Sequence, residues 1–229
     1  MTSAAEARAR RSYAQFCPLA RALDILGERW TLLVVRELLL GPQRFSDLRT
    51  HLPGIAPALL TQRLRDLEAA DLVRRAELPP PAARTVYELT ERGRALDAVI
   101  YELARFGLPY LDMPSEEQPL APHLLPHGLK TLVVAEALPR RAFVAHLAFD
   151  EGDFVMRVAA PRPGPPIARV TVERGVPERA DVTIRGSAGI VLWVRRRLLS
   201  FEEARSQRLL DLEGDERAVD AARAMLAFS

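Results

Sequence analysis

A chain of 229 residues suits two small domains or one large one, and 48% hydrophobic content is enough for a core beside 27% charged residues. A formal net charge of +2 excludes a polycation, so any nucleic-acid affinity must come from locally arranged arginines. A single cysteine, Cys17, excludes an internal disulfide framework, and no apolar run approaches the roughly 20 residues that span a bilayer. The expected compartment is therefore a reducing cytoplasm, with no membrane partner. Lys130 is the only lysine. The arginine excess suits bidentate phosphate contacts, and it equally suits a genome of biased base composition.

Residues 1–12 are Ala/Arg-rich and lack the apolar stretch of a secretory signal, so they read as a flexible arm. Residues 13–109 follow the order helix, helix, short helix, helix, ribbon, long helix. Leu19, Leu23, Ile25 and Leu26 predict a first helix that stops near Gly27. Trp30, Leu33, Val34 and Leu38 predict a second, ended by Gly41-Pro42. Phe45–His51 reads as a short third, with Arg44 or Ser46 near its start. Pro57 at a first helical position opens a fourth that runs to about Ala70. Val73–Leu78 and Thr85–Leu89 predict a hairpin whose tip is Pro79-Pro80-Pro81. Thr90 then caps a long helix with one apolar stripe, Leu96, Val99, Ile100, Leu103 and Phe106.

On the fourth helix, Leu60, Leu64 and Leu67 share one face and must turn inward. Ala58, Thr61, Gln62 and Arg65 lie away from it: small residues for close approach, then hydrogen-bonding side chains for base edges. Arg63 flanks the stripe and suits a backbone contact; Arg44, Ser46 and Pro57 complete the candidate DNA-binding set, with Arg74, Arg75 and Arg84 on the wing. This is the pattern of a winged helix-turn-helix, and the competing reading of the same residues is an ordinary surface helix of a bundle.

Several ordered blocks carry a resemblance. Cys17-Pro18, Gly27-Glu28-Arg29-Trp30, Arg36-Glu37-Leu38, Gly41 through Leu48, Leu52-Pro53-Gly54-Ile55, Leu60 through Glu68, Val86 through Thr90 and Arg105-Phe106-Gly107 resemble the HxlR family of bacterial transcriptional regulators. The resemblance covers about residues 13–108. It implies a dimeric winged-helix protein that binds a pseudo-palindromic duplex operator, with Leu96, Val99, Ile100, Leu103 and Phe106 as a dimer seam; the residues alone equally allow a monomer core. The chain departs from the family's pattern at Ala56-Pro57, where a serine-like cap is expected, and it lacks a lysine early in the fourth helix. Base contacts are then expected to shift towards Thr61, Gln62 and the wing. Cys17 stands where some relatives carry an oxidant- or electrophile-sensing thiol, and a small buried residue is the alternative.

Residues 110–126 are proline-rich and read as a linker, and residues 127–229 as an α+β domain. Phe143–Phe149, Phe154–Val158, Val170–Val172 and Val182–Ile184 have strand character, expected to form an antiparallel sheet; Ser187–Leu199, Phe201–Gln207 and Asp215–Phe228 are helical. His123, His127 and His146 lack metal-ligand spacing and a carboxylate partner at fixed interval, so neither an enzyme, a metal nor a cofactor is expected. Ala180–Gly186, Leu192–Ala204 and Leu209–Asp215 resemble the C-terminal part of sterol carrier protein type two domains, most strongly over residues 180–228. That resemblance implies a tunnel for an apolar or fatty-acid-like effector, for which Phe143, Phe154, Met156, Ile190, Trp193, Val194 and Leu198 are candidate lining residues; each could equally be plain core. The fold class is thus mixed α/β: an N-terminal winged helix-turn-helix followed by a C-terminal α+β sheet-and-helix domain. The expected function is a ligand-modulated homodimeric DNA-binding regulator. Its alternatives are a redox regulator acting through Cys17, and a lipid-binding protein whose winged helix serves only dimerisation.

Overall fold

The computed structural model describes residues 12–78, 84–111 and 121–228. It divides into two compact units, Met1–Ile100 and Tyr101–Ser229. The expected arm, the tip Pro79-Pro80-Pro81 and much of the proline-rich segment lie outside the described residues.

In the first unit, α1 (Pro18–Leu26) starts on a proline whose missing N–H needs no partner there, and ends where the Gly27 N–H bonds the Leu23 carbonyl at 2.8 Å. α2 (Thr31–Leu39) is entered through Trp30 in left-handed backbone. At the start of α3 (Phe45–His51) the Asp47 carboxylate accepts from the Arg44 backbone N–H at 3.1 Å and from Arg44 Nε at 2.9 Å. Burial pushes the Asp47 carboxyl up, but these Arg44 contacts outweigh it and hold the group below its ordinary value. Gly54, at φ +90°, makes the turn into α4 (Pro57–Ala69). A Cβ there would have room, 3.9 Å from the Trp30 ring, so the requirement is on the backbone angle.

β1 (Val73–Leu78) and β2 (Arg84–Leu89) pair antiparallel with Val73 opposite Leu89. Gln43 joins the ribbon by exchanging backbone bonds with Tyr87 at 2.9 and 2.7 Å. The Thr90 hydroxyl then accepts from the Gly93 N–H and caps α5 (Glu91–Arg94), so the expected long helix begins as a separate short turn before α6 (Leu96–Gly107). Leu60, Leu64 and Leu67 form one buried cluster with Val34, Val35, Leu38, Leu48, Leu72, Val73 and Leu89. Each such side chain contributes roughly 1.5–3 kcal/mol. That burial fixes which face of α4 is left outside.

The second unit is a five-stranded sheet in the order β5-β4-β3-β6-β7. The strands are β3 (Phe143–Phe149), β4 (Gly152–Val158), β5 (Val170–Arg174), β6 (Val182–Gly186) and β7 (Asp211–Gly214). The expectation of an antiparallel sheet is corrected: β3 and β6 are parallel, with Ala145 opposite Val182. β5 runs with β3 because both pair antiparallel with β4, and the chain then crosses to the other side of β3 and enters β6 in that same direction. β3 alternates in burial along its whole length, whereas β4 buries Val155 as well as its inward face. Phe143, Ala145, Leu147 and Phe149 face inward, as do Phe154, Met156 and Val158.

Helices cover the sheet. α7 (Leu125–Thr131) packs on β5, and α10 (Glu216–Leu226) on β6 and β7. α8 (Ala188–Arg195) stops short of the expected Leu199, and Arg197 follows in left-handed backbone at φ 59°. α9 (Phe201–Ser206) is closed by Ser200 and Glu203 in reciprocal capping; the Ser200 hydroxyl and backbone N–H hold the Glu203 carboxyl below its ordinary value. Phe201 stacks on Phe228 with ring centroids 5.6 Å apart. Among the described residues no helix is long and apolar enough to cross a membrane.

Candidate nucleic-acid interface

α4 presents Ala58, Gln62 and Arg65 outward, with Thr61 half-buried beside them. Thr61 Oγ1 donates to the Pro57 carbonyl at 2.9 Å, so the hydroxyl proton is already used and its oxygen remains as an acceptor. Gln62 Nε2 donates to Asp66 Oδ1 at 2.8 Å. A carboxylate only accepts, so this contact uses one amide proton of Gln62 and leaves its carbonyl oxygen and second amide proton uncommitted to Asp66. Arg65 is exposed and makes no ion pair among the described residues.

Arg63 stands differently from the expected backbone contact. Its side chain is 8% exposed and points inward. Nε donates to the Arg29 carbonyl at 3.1 Å, Nη1 to Asp66 at 3.0 Å and Nη2 to Glu28 at 3.0 Å. All three nitrogens are spent on protein partners, so Arg63 braces α4 against the α1–α2 turn rather than offering charge to a phosphate. Sequence periodicity put it at the rim of the apolar stripe; only the acceptors from Glu28 and Arg29 explain why it turns in.

Pro57 and Ala58 are exposed at the start of α4, and Arg44 and Ser46 are exposed at the start of α3. Arg44 is paired with Asp47, and Ser46 Oγ lies 3.4 Å from the same carboxylate. On the ribbon, register separates the arginines. Arg74 and Arg84 lie on one face, opposite Glu88 and Leu78, whereas Arg75 lies on the other, opposite Tyr87. Arg74 pairs with Glu88 at 2.6 Å, and Arg75 pairs with Glu68 at 3.0 Å and lies over the Tyr87 ring. Arg84 is exposed and makes no ion pair among the described residues.

The other named residues separate by exposure. Of the α6 stripe, Ile100 is buried and Leu96 half-buried, whereas Val99, Leu103 and Phe106 are exposed, Phe106 by 72%. On α1 and the residue before it, Phe16, Leu19 and Leu23 are also exposed. Cys17 is half-buried at the N-terminal end of α1, one turn from the exposed Arg21. In the second unit Phe143, Phe154, Met156 and Val194 are buried, Ile190 is half-buried, and Trp193 and Leu198 are exposed. His146 does have a carboxylate partner: Asp153, its diagonal cross-strand neighbour, at 2.7 Å. That pairing depends on strand register and has no fixed interval in the sequence.

Residues 25–115 match the HxlR-like helix-turn-helix family. The uncharacterised HTH-type transcriptional regulator YvaP of Bacillus subtilis is 36% identical over 99 residues, 43% of this chain and 92% of that protein. Rv3095 of Mycobacterium tuberculosis, another uncharacterised HTH-type transcriptional regulator, is 36% identical over 147 residues, 64% of this chain and 85% of that protein. Among solved structures, the reduced form of the transcriptional regulator YodB from B. subtilis is 34% identical at a TM-score of 0.38, covering 43% of this chain and 97% of that one.

Proposed function

The chain belongs to the HxlR-like helix-turn-helix family of transcriptional regulators, and from that premise we propose that it acts as a homodimer on a pseudo-palindromic operator. One α4 enters the major groove of each half-site, the half-sites lying about one helical turn apart. The observation that carries this reading is the outward face of α4, where Gln62 and Arg65 stand free of the core beside small residues that permit close approach. Gln62 and Thr61 address base edges, Arg65 a guanine or a phosphate, and Arg84 with Arg74 the flanking backbone. Val99, Leu103 and Phe106 form the apolar seam between protomers, since exposed apolar stripes of this kind mark association surfaces. The test is binding to the chain's own upstream intergenic DNA across a salt series, for wild type and Arg65→Ala. Affinity should fall steeply with salt and weaken in the variant; no binding at low salt would leave the winged helix as an assembly element.

The second unit, with its resemblance to sterol carrier domains, serves as the sensor for an apolar small molecule. Ligand there shifts the population of dimers whose two α4 helices match the half-site spacing. A reading through Cys17 is supported by a different observation, the half-buried thiol at the N-terminal end of α1 beside Arg21. With one cysteine per chain, any disulfide joins two protomers or a small thiol. DNA binding by Cys17→Ser that still responds to oxidant excludes it.

A further inference from the structure

We infer that Gln43 is a positioning residue for DNA binding: its buried side chain fixes the ribbon β1–β2 at the stance from which Arg84 and Arg74 meet the phosphate backbone. This role rests on the DNA-binding reading above, and adds to it the contact that aims the wing.

A ribbon of two strands is marginal by itself and takes its stance from what it packs on. Gln43, from the segment between α2 and α3, extends β1–β2 by a single bridge, its N–H and carbonyl both pairing with Tyr87. A one-residue bridge has no neighbours in the ladder to hold it, so its anchorage lies in the side chain. Gln43 is 9% exposed and uses both ends of its amide. Nε2 donates to the Glu37 carbonyl at 3.1 Å, near the end of α2. Oε1 lies 3.1 Å from His51 Nδ1, on the last turn of α3. An amide oxygen only accepts, so Nδ1 carries the proton of that bond.

Both anchors are themselves held. Glu37 is fully buried, with Arg36 Nη2 2.5 Å from Oε1 and His51 Nδ1 3.6 Å from Oε2. Shifting a buried carboxylate away from these partners would strand a charge, so this end of the clamp resists displacement. A second hold reaches the ribbon from α4. Arg75, opposite Tyr87 in register, lies over the Tyr87 ring at 5.5 Å and pairs with Glu68 at 3.0 Å. Arg75 is exposed, so that pair contributes little, and the buried amide of Gln43 is the stronger hold.

The experiment is a double-mutant cycle on DNA affinity in the full-length protein, using the chain's own upstream intergenic DNA across a salt series. Gln43→Met keeps an unbranched side chain and the backbone bridge but removes both amide contacts, and thermal unfolding gives its folded fraction. Gln43→Met should bind at least about fivefold more weakly, with the salt slope reduced by about 1–2. In the Arg74→Ala/Arg84→Ala background the same substitution should change affinity by less than about twofold, because the contacts it aims are already gone. Preference among operators varied one base pair at a time should stay as in wild type. Should Gln43→Met not fold, His51→Ala removes one anchor alone and carries the same cycle, with a smaller loss expected. No binding by wild type at low salt sinks the DNA-binding reading and this role with it. With wild type bound, unchanged affinity and salt slope in the folded variant overturn the role alone. So does Arg74→Ala/Arg84→Ala binding as tightly as wild type, since the wing would then hold no contact to aim. A loss undiminished in that background, or a change in base preference, places the action of Gln43 elsewhere than the wing and overturns the role as well.

Discussion

Arg63 and Arg65 sit two positions apart on one helix and do opposite things. Arg63→Ala would leave Glu28 and Asp66 without their shared cation and the Arg29 carbonyl without a donor, at a cost of about 2 kcal/mol in a chemical-denaturation measurement. The salt dependence of DNA binding by the folded variant should stay as in wild type. Arg65→Ala should do the reverse, leaving stability within about 0.5 kcal/mol and, if its contact is a phosphate, reducing the salt slope by about 1. Asp66 couples the two, since it accepts from both Arg63 and Gln62. Gln62 keeps its carbonyl oxygen and one amide proton for the proposed base contact, and Gln62→Ala should relax preference at one position of each half-site by about 1–3 kcal/mol, read from binding to operators varied one base pair at a time. The outward placement of Gln62 and Arg65 was legible from the spacing of Leu60, Leu64 and Leu67. The inward turn of Arg63 was not, because two of its three partners, Arg29 and Glu28, lie more than 30 residues away.

At the scale of elements, caps and glycines decide where the chain turns. Gly93 packs so closely under the ribbon that a Cβ would lie 2.0 Å from the Leu72 carbonyl oxygen. Gly93→Ala should cost roughly 1–3 kcal/mol or more, seen as a lowered midpoint of thermal unfolding. At α10 the Asp215 carboxylate accepts from the Ala218 N–H at 2.8 Å, and Asp215→Ala should cost about 1 kcal/mol. The Asp47 contact at α3 carries a pH signature. Its folded pKa is depressed, so its contribution is full at neutral pH, begins to fade as pH falls through the ordinary value of 3.8, and is gone below the folded value. The stability gap between wild type and Asp47→Asn should therefore narrow on acidification through that range. Most element positions followed from periodicity and end signals, α3 and β1 among them. β7 and α7 were missed: β7 is four residues long with one buried position, and α7 begins inside a proline-rich stretch that reads as a breaker.

For the whole molecule, the question is what the exposed apolar side chains meet. Val99, Leu103 and Phe106 recur on one face of α6, and water is an expensive neighbour for them. Leu103→Glu/Phe106→Glu should give a monomer by sedimentation, with unfolding cooperativity kept and affinity for a full palindrome reduced at least about tenfold, because two half-sites no longer act together. A dimer that persists in this variant would remove α6 as the seam.

The sequence by itself determined the winged-helix unit, because local signals carry it: a 3.6-residue period, Pro57 at a helix start, Gly54 at a turn, Thr90 at a cap. Those signals act within a few residues of chain and survive without knowledge of the fold. The tertiary structure alone decided the pairing of Arg63 with Glu28 and the parallel alignment of β3 with β6. Each joins residues more than 30 positions apart, and what joins them is strand order and packing direction, which no local pattern of side chains encodes.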